Sequence, residues 1–233
     1  MLLVDSHCHL DSLDYQTLHQ NVDDALAKAK ARDVGYVLAV ATTLPGYRSM
    51  TELIGERNDV AFSCGVHPLN LEEGYDYAEL RRLAAAEQVV ALGETGLDYF
   101  YQKDNLELQQ DSFREHIRIG RDLNKPVIVH TRDARADTLA ILREENAQDC
   151  GGVLHCFTED LATAEALLDL ASTSPSRASS PSATPNSCAR WRAMCRWIAF
   201  WWKPTRLIWH RCRIAAKKTN PPMCAMWLNT WRY

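Results

Sequence analysis

The chain has 233 residues, 46% of them hydrophobic, with 30 acidic and 26 basic side chains for a formal net charge of −4, which leaves room for one large α/β domain with a sizeable core. No stretch reaches the apolar length of a bilayer span and the N-terminus lacks a basic-then-apolar signal, so the expectation is a cytoplasmic protein with no membrane partner. Eight cysteines without secretory features point to reduced thiols rather than a disulfide framework.

The first predicted strand, Leu2 to Val4, leads into VDSHCHLD. Residues i and i+2 of a strand point to the same side, so His7 and His9 project together, a common way to begin a divalent-metal site. The plainer alternative is a polar loop with two unrelated histidines. A helical pattern follows, VDDALAKAKARD, and then a second strand, Tyr36 to Ala41. The third strand, Val60 to Val66, runs into CGVHP with His67, and the helical DYAELRRLAAAE follows. The fourth, Val89 to Leu92, runs into GETGLD with Glu94, and the helical SFREHIRIGRDL follows. The fifth, Val127 to Val129, ends on His130 in VIVHTRDA, ahead of the helical ADTLAILREE. The sixth, Val153 to Leu154, ends on His155 in VLHCF.

Six βα units with near-continuous apolar strands predict a buried parallel sheet. A doubly wound sheet and a (β/α)₈ barrel both fit that rhythm. Five of the eight histidines and Glu94 sit at strand C-terminal ends, which converge on one mouth in a barrel and spread along an edge in an open sheet. The barrel is therefore the better reading. Taken singly, each position has a mundane role: His67 shapes a turn ahead of Pro68, Glu94 caps a short turn, and His130 and His155 end strands as satisfied polar groups. Repetition after five strands of six makes coincidence the weaker explanation. His19 and His116, inside or near helical patterns, are read as surface or packing residues. Cys8 and Cys156 are read as small core fillers, since alternation turns them away from the adjacent histidines.

VDSHCHLD, CGVHPLN, ALGETGLDY, VIVHTRDA and GVLHCFTED, in this order, resemble the TatD-type metal-dependent deoxyribonucleases of the amidohydrolase-like barrel group, and more closely their YcfH-like branch. The resemblance covers residues 1–170. It implies that His7, His9 and Glu94 hold one divalent ion and that Glu94, His130 and His155 hold a second, with Glu94 bridging. Glu94 and His67 are the candidate catalytic residues. The family's closing Asp, in a motif of the form ETDSPY after the eighth strand, does not occur here.

Residues 170–233 are a different kind of sequence. Residues 1–169 carry all 30 acidic and 15 of the 26 basic residues, a net −15, whereas the remainder carries 11 basic residues and no acid, +11. All ten Gly lie at or before Gly152 and all seven Trp at or after Trp191. The permitted codons of WWKPTRLIWH, read one frame over, spell ETDSPYLA, and those of LASTSPSRASSPSATPNS spell GFYISFSGIVTFRNAE, a seventh strand with its helix start. The expected organisation is an incomplete barrel of about six βα units over 1–170 and a frameshifted, poorly ordered tail over 171–233. Trp mixed with Arg and Lys in the tail also suits nucleic-acid stacking or membrane-surface association, both ranked below a non-native segment. Cys188, Cys195, Cys212 and Cys224 lack the tight paired spacing of a zinc site.

The resemblance implies hydrolysis of DNA phosphodiesters, of 3′–5′ exonuclease type, by two divalent ions (Mg²⁺, Mn²⁺ or Zn²⁺), with activity impaired in this chain. The acidic first part argues against broad duplex binding, so single-stranded ends are the expected partner. Two alternatives stay open: a metal-dependent hydrolase of a small amide, ester or phosphoester on the same scaffold, and an inactive truncated barrel.

Overall fold

A computed structural model describes residues 3–172. The expectations for Leu2, for residues 173–233 and for the four tail cysteines lie outside these residues.

Six strands, β1 (Leu3–Cys8), β2 (Val34–Val40), β3 (Val60–Cys64), β4 (Val89–Asp98), β5 (Val127–Arg132) and β6 (Gly152–Leu154), alternate with six helices, α1 (Val22–Lys30), α2 (Leu44–Ile54), α3 (Tyr77–Ala84), α4 (Leu106–Leu123), α5 (Arg135–Glu144) and α6 (Leu161–Ser172). Every strand pairs in parallel with its chain neighbour, in the order β1 to β6. The sheet curls into a part-barrel with the helices on its outside. No helix among the described residues is long and apolar enough to cross a membrane.

Local chemistry sets the helix starts. The side chains of Asn21, Thr43 and Asp76 accept from the amides of Asp24, Gly46 and Ala78, satisfying first-turn donors that have no intrahelical partner. Helix α2 is absent from the helical segments read in the sequence. Its LPGYR start looks like a turn, yet Pro45 falls in the first turn, where a missing amide costs nothing.

The two faces of the sheet are separated by pleating. Val37, Ala39, Val127, Val129 and Leu154 join the large cluster shared with the helices. Leu38, Val40, Ala61, Ala91 and Ile128 form a smaller cluster on the other face. Continuing each alternation past its last apolar residue puts His130 on the face of Ile128 and His155 on that of Val153. Cys8 packs against the outer cluster, so its neighbours His7 and His9 face inward.

Three strands run past the C-terminal ends that the apolar runs suggested, whereas β3 stops two residues short, at Cys64. Strand β1 includes His7, β4 continues through Glu94 to Asp98, and β5 includes His130. The backbone hydrogen bonds of a parallel ladder do not depend on side-chain polarity, so pairing continues where the apolar pattern stops.

Candidate metal centre

Glu94 is the hub, and it reaches the mouth by an irregularity rather than by alternation. Counting from Ala91 on the inner face, a regular strand would send Glu94 to the helix side. The β4–β5 register shifts between Leu92 and Thr95, which turns the carboxylate inward. The flanking glycines are required there. A Cβ on Gly93 (φ +125°) would lie 2.6 Å from the Ile128 carbonyl oxygen, and one on Gly96 (φ +132°) 2.0 Å from that of His130. Only glycine takes those backbone angles with strands so close.

Glu94, 3% exposed, meets imidazoles on both oxygens. His7 Nε2 lies 3.2 Å and His9 Nε2 3.8 Å from Oε2. His130 Nδ1 lies 3.4 Å and His67 Nε2 3.8 Å from Oε1. His155 stands behind them, its ring stacked on His7 with centroids 3.6 Å apart and 14° between planes. Burial opposes ionisation of Glu94, but the imidazoles of His130 and His7 outweigh it and hold the carboxyl well below the usual carboxylate range.

The hydrogen-bond partners fix which ring nitrogens carry protons. His9 Nδ1 is 2.9 Å from the Val40 carbonyl oxygen, which can only accept, so Nδ1 bears a proton and Nε2 is the nitrogen that faces Glu94. His130 Nε2 donates to Asp98 Oδ2 at 2.9 Å and leaves Nδ1 facing Glu94. Burial disfavours charge on His130, yet hydrogen bonds to Glu94 and Asp98 prevail and its pKa is raised. His67 is the reverse. Its Nδ1 accepts from the Leu69 amide at 3.2 Å, so its proton sits on Nε2, the nitrogen that faces the site. Burial, against the pull of Glu94, brings its pKa down to about 4 and keeps it neutral. His155 is likewise pushed down to about 4, by burial and then by His7.

A divalent ion fits these donors. His7 Nε2 is buried with no hydrogen-bond partner, its contact with Glu94 falling outside hydrogen-bond geometry, and an orphan imidazole nitrogen costs free energy unless something accepts its lone pair. Two sets, His7–His9–Glu94 and His67–Glu94–His130, each hold their candidate ligand atoms within 4.8 Å of one another. The structure thus gathers His7, His9, His67, Glu94 and His130 around one point. It puts His155 against His7, outside both sets.

Asp98 escaped the reading of the sequence. It is fully buried, and besides His130 it accepts from the amides of Phe100 and Tyr101 at 3.1 and 2.9 Å. Its position in GETGLD, four residues past Glu94 on one strand, was the available signal. His116 is a packing residue as expected: fully buried, it accepts from the Val66 amide through Nε2 at 3.0 Å. Cys8 packs on the core, but Cys156 is exposed at φ +49° and fills none of it, because β6 ends at Leu154 and alternation with it.

A parallel part-barrel that gathers imidazoles around a buried carboxylate at the C-terminal ends of its strands defines the class of metal-dependent barrel hydrolases. Within that class the chain belongs to the TatD related DNase family, whose family model matches residues 4–186. It is 72% identical over 170 residues to the Escherichia coli K12 protein named uncharacterized metal-dependent hydrolase YcfH, the match covering 73% of this chain and 64% of that protein. The chain therefore spans less than two thirds of that relative's length. A Cronobacter sakazakii protein named 3′-5′ ssDNA/RNA exonuclease TatD is 36% identical over 138 residues, covering 58% of this chain and 52% of that one. Among solved structures, YJJV, a TatD homolog from E. coli K12, superposes with a TM-score of 0.64 at 27% identity, over 72% of this chain and 64% of that one.

Proposed function

We propose that the site hydrolyses phosphodiester bonds at the ends of single-stranded DNA, in the cytoplasm, with two divalent ions that Glu94 and the surrounding imidazoles would hold. The observation that carries this is the buried Glu94 with two differently supported groups of imidazoles on its two oxygens. His7, His9 and Glu94 would hold one ion, and Glu94 and His130, with His155 drawn in from its place against His7, would hold the other. Divalent ions in such a site supply Lewis-acid polarisation of the phosphate and acidify water. His-rich ligation favours transition ions over Mg²⁺. The name of the Cronobacter relative supports the nucleic-acid reading.

The chain's own residues divide the remaining work. Val40 and Asp98 hold His9 and His130 in the tautomers that ligation needs. His67 is assigned a different part from its neighbours, because its site-facing nitrogen bears a proton. A neutral N–H aimed into the mouth is a donor for a phosphate oxygen, and it strengthens as negative charge builds there. Hydrolysis adds water to phosphorus and expels the sugar oxygen, which leaves as a hydroxyl. The test is mass spectrometry of a labelled single-stranded oligonucleotide incubated with Mn²⁺-loaded protein. Stepwise loss of single nucleotides from the 3′ end is expected. An intact oligonucleotide alongside hydrolysis of a small ester or amide would favour the alternative substrates.

The tail over 171–233 belongs to this reading as a frameshifted segment, since the codons it permits encode ETDSPY and with it the family's closing Asp. Loss of one general base costs about a hundred- to ten-thousandfold in rate. The form with its frame restored is expected to exceed this chain by that much. Equal rates and equal melting temperatures would make the tail native.

A further inference from the structure

We propose that Arg132, Phe100 and Tyr101 form a ledge at the mouth that binds one nucleotide of a single strand, the base on the open aromatic faces and its phosphate on the guanidinium. This deepens the nuclease reading above and rests on it.

The Arg132 guanidinium carbon lies 4.1 Å from the centroid of Phe100 and 4.6 Å from that of Tyr101. The two rings meet edge to face, centroids 4.8 Å apart at 90°. They are nevertheless 47% and 61% exposed, so each keeps ring surface open to solvent. Neither ring belongs to the hydrophobic core, and base stacking is a use that needs such open surface. Arg132 has no carboxylate in ion-pair range among the described residues, whereas Arg114, Arg118 and Arg135 each have two. A guanidinium packed on rings has its plane fixed while its N–H edge stays available, which suits bidentate contact with phosphate. On a segment with a net charge of −15 over residues 1–169, that cation is a local attraction for an anionic strand.

The ledge is tied to the metal centre by covalent and hydrogen-bonded routes. Arg132 follows His130 by two residues on β5, pairs with Asp98 in the β4–β5 register, and accepts from the Tyr99 amide at 2.9 Å. Asp98 uses one oxygen to orient His130 and the other to hold the amides of Phe100 and Tyr101. One buried carboxylate therefore sets both the ligand histidine and the rings, and fixes the spacing between scissile phosphate and stacked base.

The probe is a fluorescein-labelled hexathymidylate, with binding followed by anisotropy in EDTA over a series of salt concentrations, on the full chain. Tyr101→Ala and Phe100→Ala should each weaken binding roughly five- to a hundredfold, and Tyr101→Trp should restore it. Arg132→Ala should weaken binding and lower the slope of log affinity against log salt by about 0.7. Arg143→Ala, which removes an exposed charge at the far end of α5, should do neither. Circular dichroism melts check that the variants fold. If all three ledge variants bind like the native chain, the ledge is wrong while oligonucleotide degradation by the native protein keeps the nuclease reading. If the native chain neither binds nor degrades the probe yet hydrolyses a small ester, both readings fall.

Discussion

Glu94 divides the mouth into two flanks built on different support. On the β1 flank, His9 is oriented by a main-chain carbonyl, and His7 Nε2 has no hydrogen-bond partner. On the β5 flank, His130 is oriented by a buried carboxylate, and His67 by a main-chain amide that leaves it a donor. A carbonyl support cannot be removed by a side-chain change and contributes no net charge. A carboxylate support can be mutated and raises the pKa of its histidine. The two flanks should therefore respond unequally to substitution although both face one carboxylate.

Glu94→Gln should abolish the distinction. A neutral amide cannot offset the charge of either ion, so calorimetric titration with Mn²⁺ should lose both sites, an effect beyond the roughly hundredfold that supporting residues reach. Retention of one site at native affinity would show that Glu94 does not bridge. His67→Ala separates donor from ligand within the β5 flank. Turnover should fall about a hundred- to a thousandfold, as for other lost donors to developing charge, with the metal stoichiometry kept, whereas His155→Ala should remove one ion. Loss of an ion from the His67 variant instead would exchange the parts given to these two residues.

Asp98→Asn should touch the β5 flank alone. The amide oxygen can still accept from Phe100 and Tyr101, but an amide nitrogen facing His130 Nε2 forces the proton onto Nδ1, the ligand nitrogen. Affinity for one ion should drop about ten- to a hundredfold while the other is kept. Equal weakening of both ions would mean that the flanks are not independent.

A further effect lies behind the mouth. Burial holds the folded-state pKa of His116 down to about 4, against an ordinary value of 6.5. Above 6.5 both folded and unfolded chains are neutral there, and the stability is full. As the pH falls from 6.5 toward 4 the unfolded chain takes up a proton that the folded one refuses, costing up to about 3 kcal/mol. Urea midpoints should fall over that window, and His116→Gln should flatten the fall. An unchanged pH slope in the variant would assign the acid lability elsewhere.

Much of this was legible in the residues. Apolar runs spaced by helical patterns specify parallel βα units, because strand burial on both faces and helix amphipathicity are local, periodic demands. The placement of His130 and His155 follows from the same periodicity, each continuing the inward face of its strand, whereas His7 lies within a register shift of β1 between Asp5 and Cys8. The direction of Glu94 does not follow from it. Alternation points that side chain to the helices, and only the register shift against β5, between strands too close for a Cβ on Gly93 or Gly96, turns it to the mouth. Proton positions were equally hidden. Whether an imidazole offers a lone pair or a proton depends on its other nitrogen, and the partners there, Val40, Asp98 and Leu69, belong to other strands or to a turn. The sequence by itself determined which chemical groups reach the strand ends. The tertiary structure alone decided which of them can ligate and which can donate, because that choice is made by hydrogen bonds between segments the chain order keeps apart.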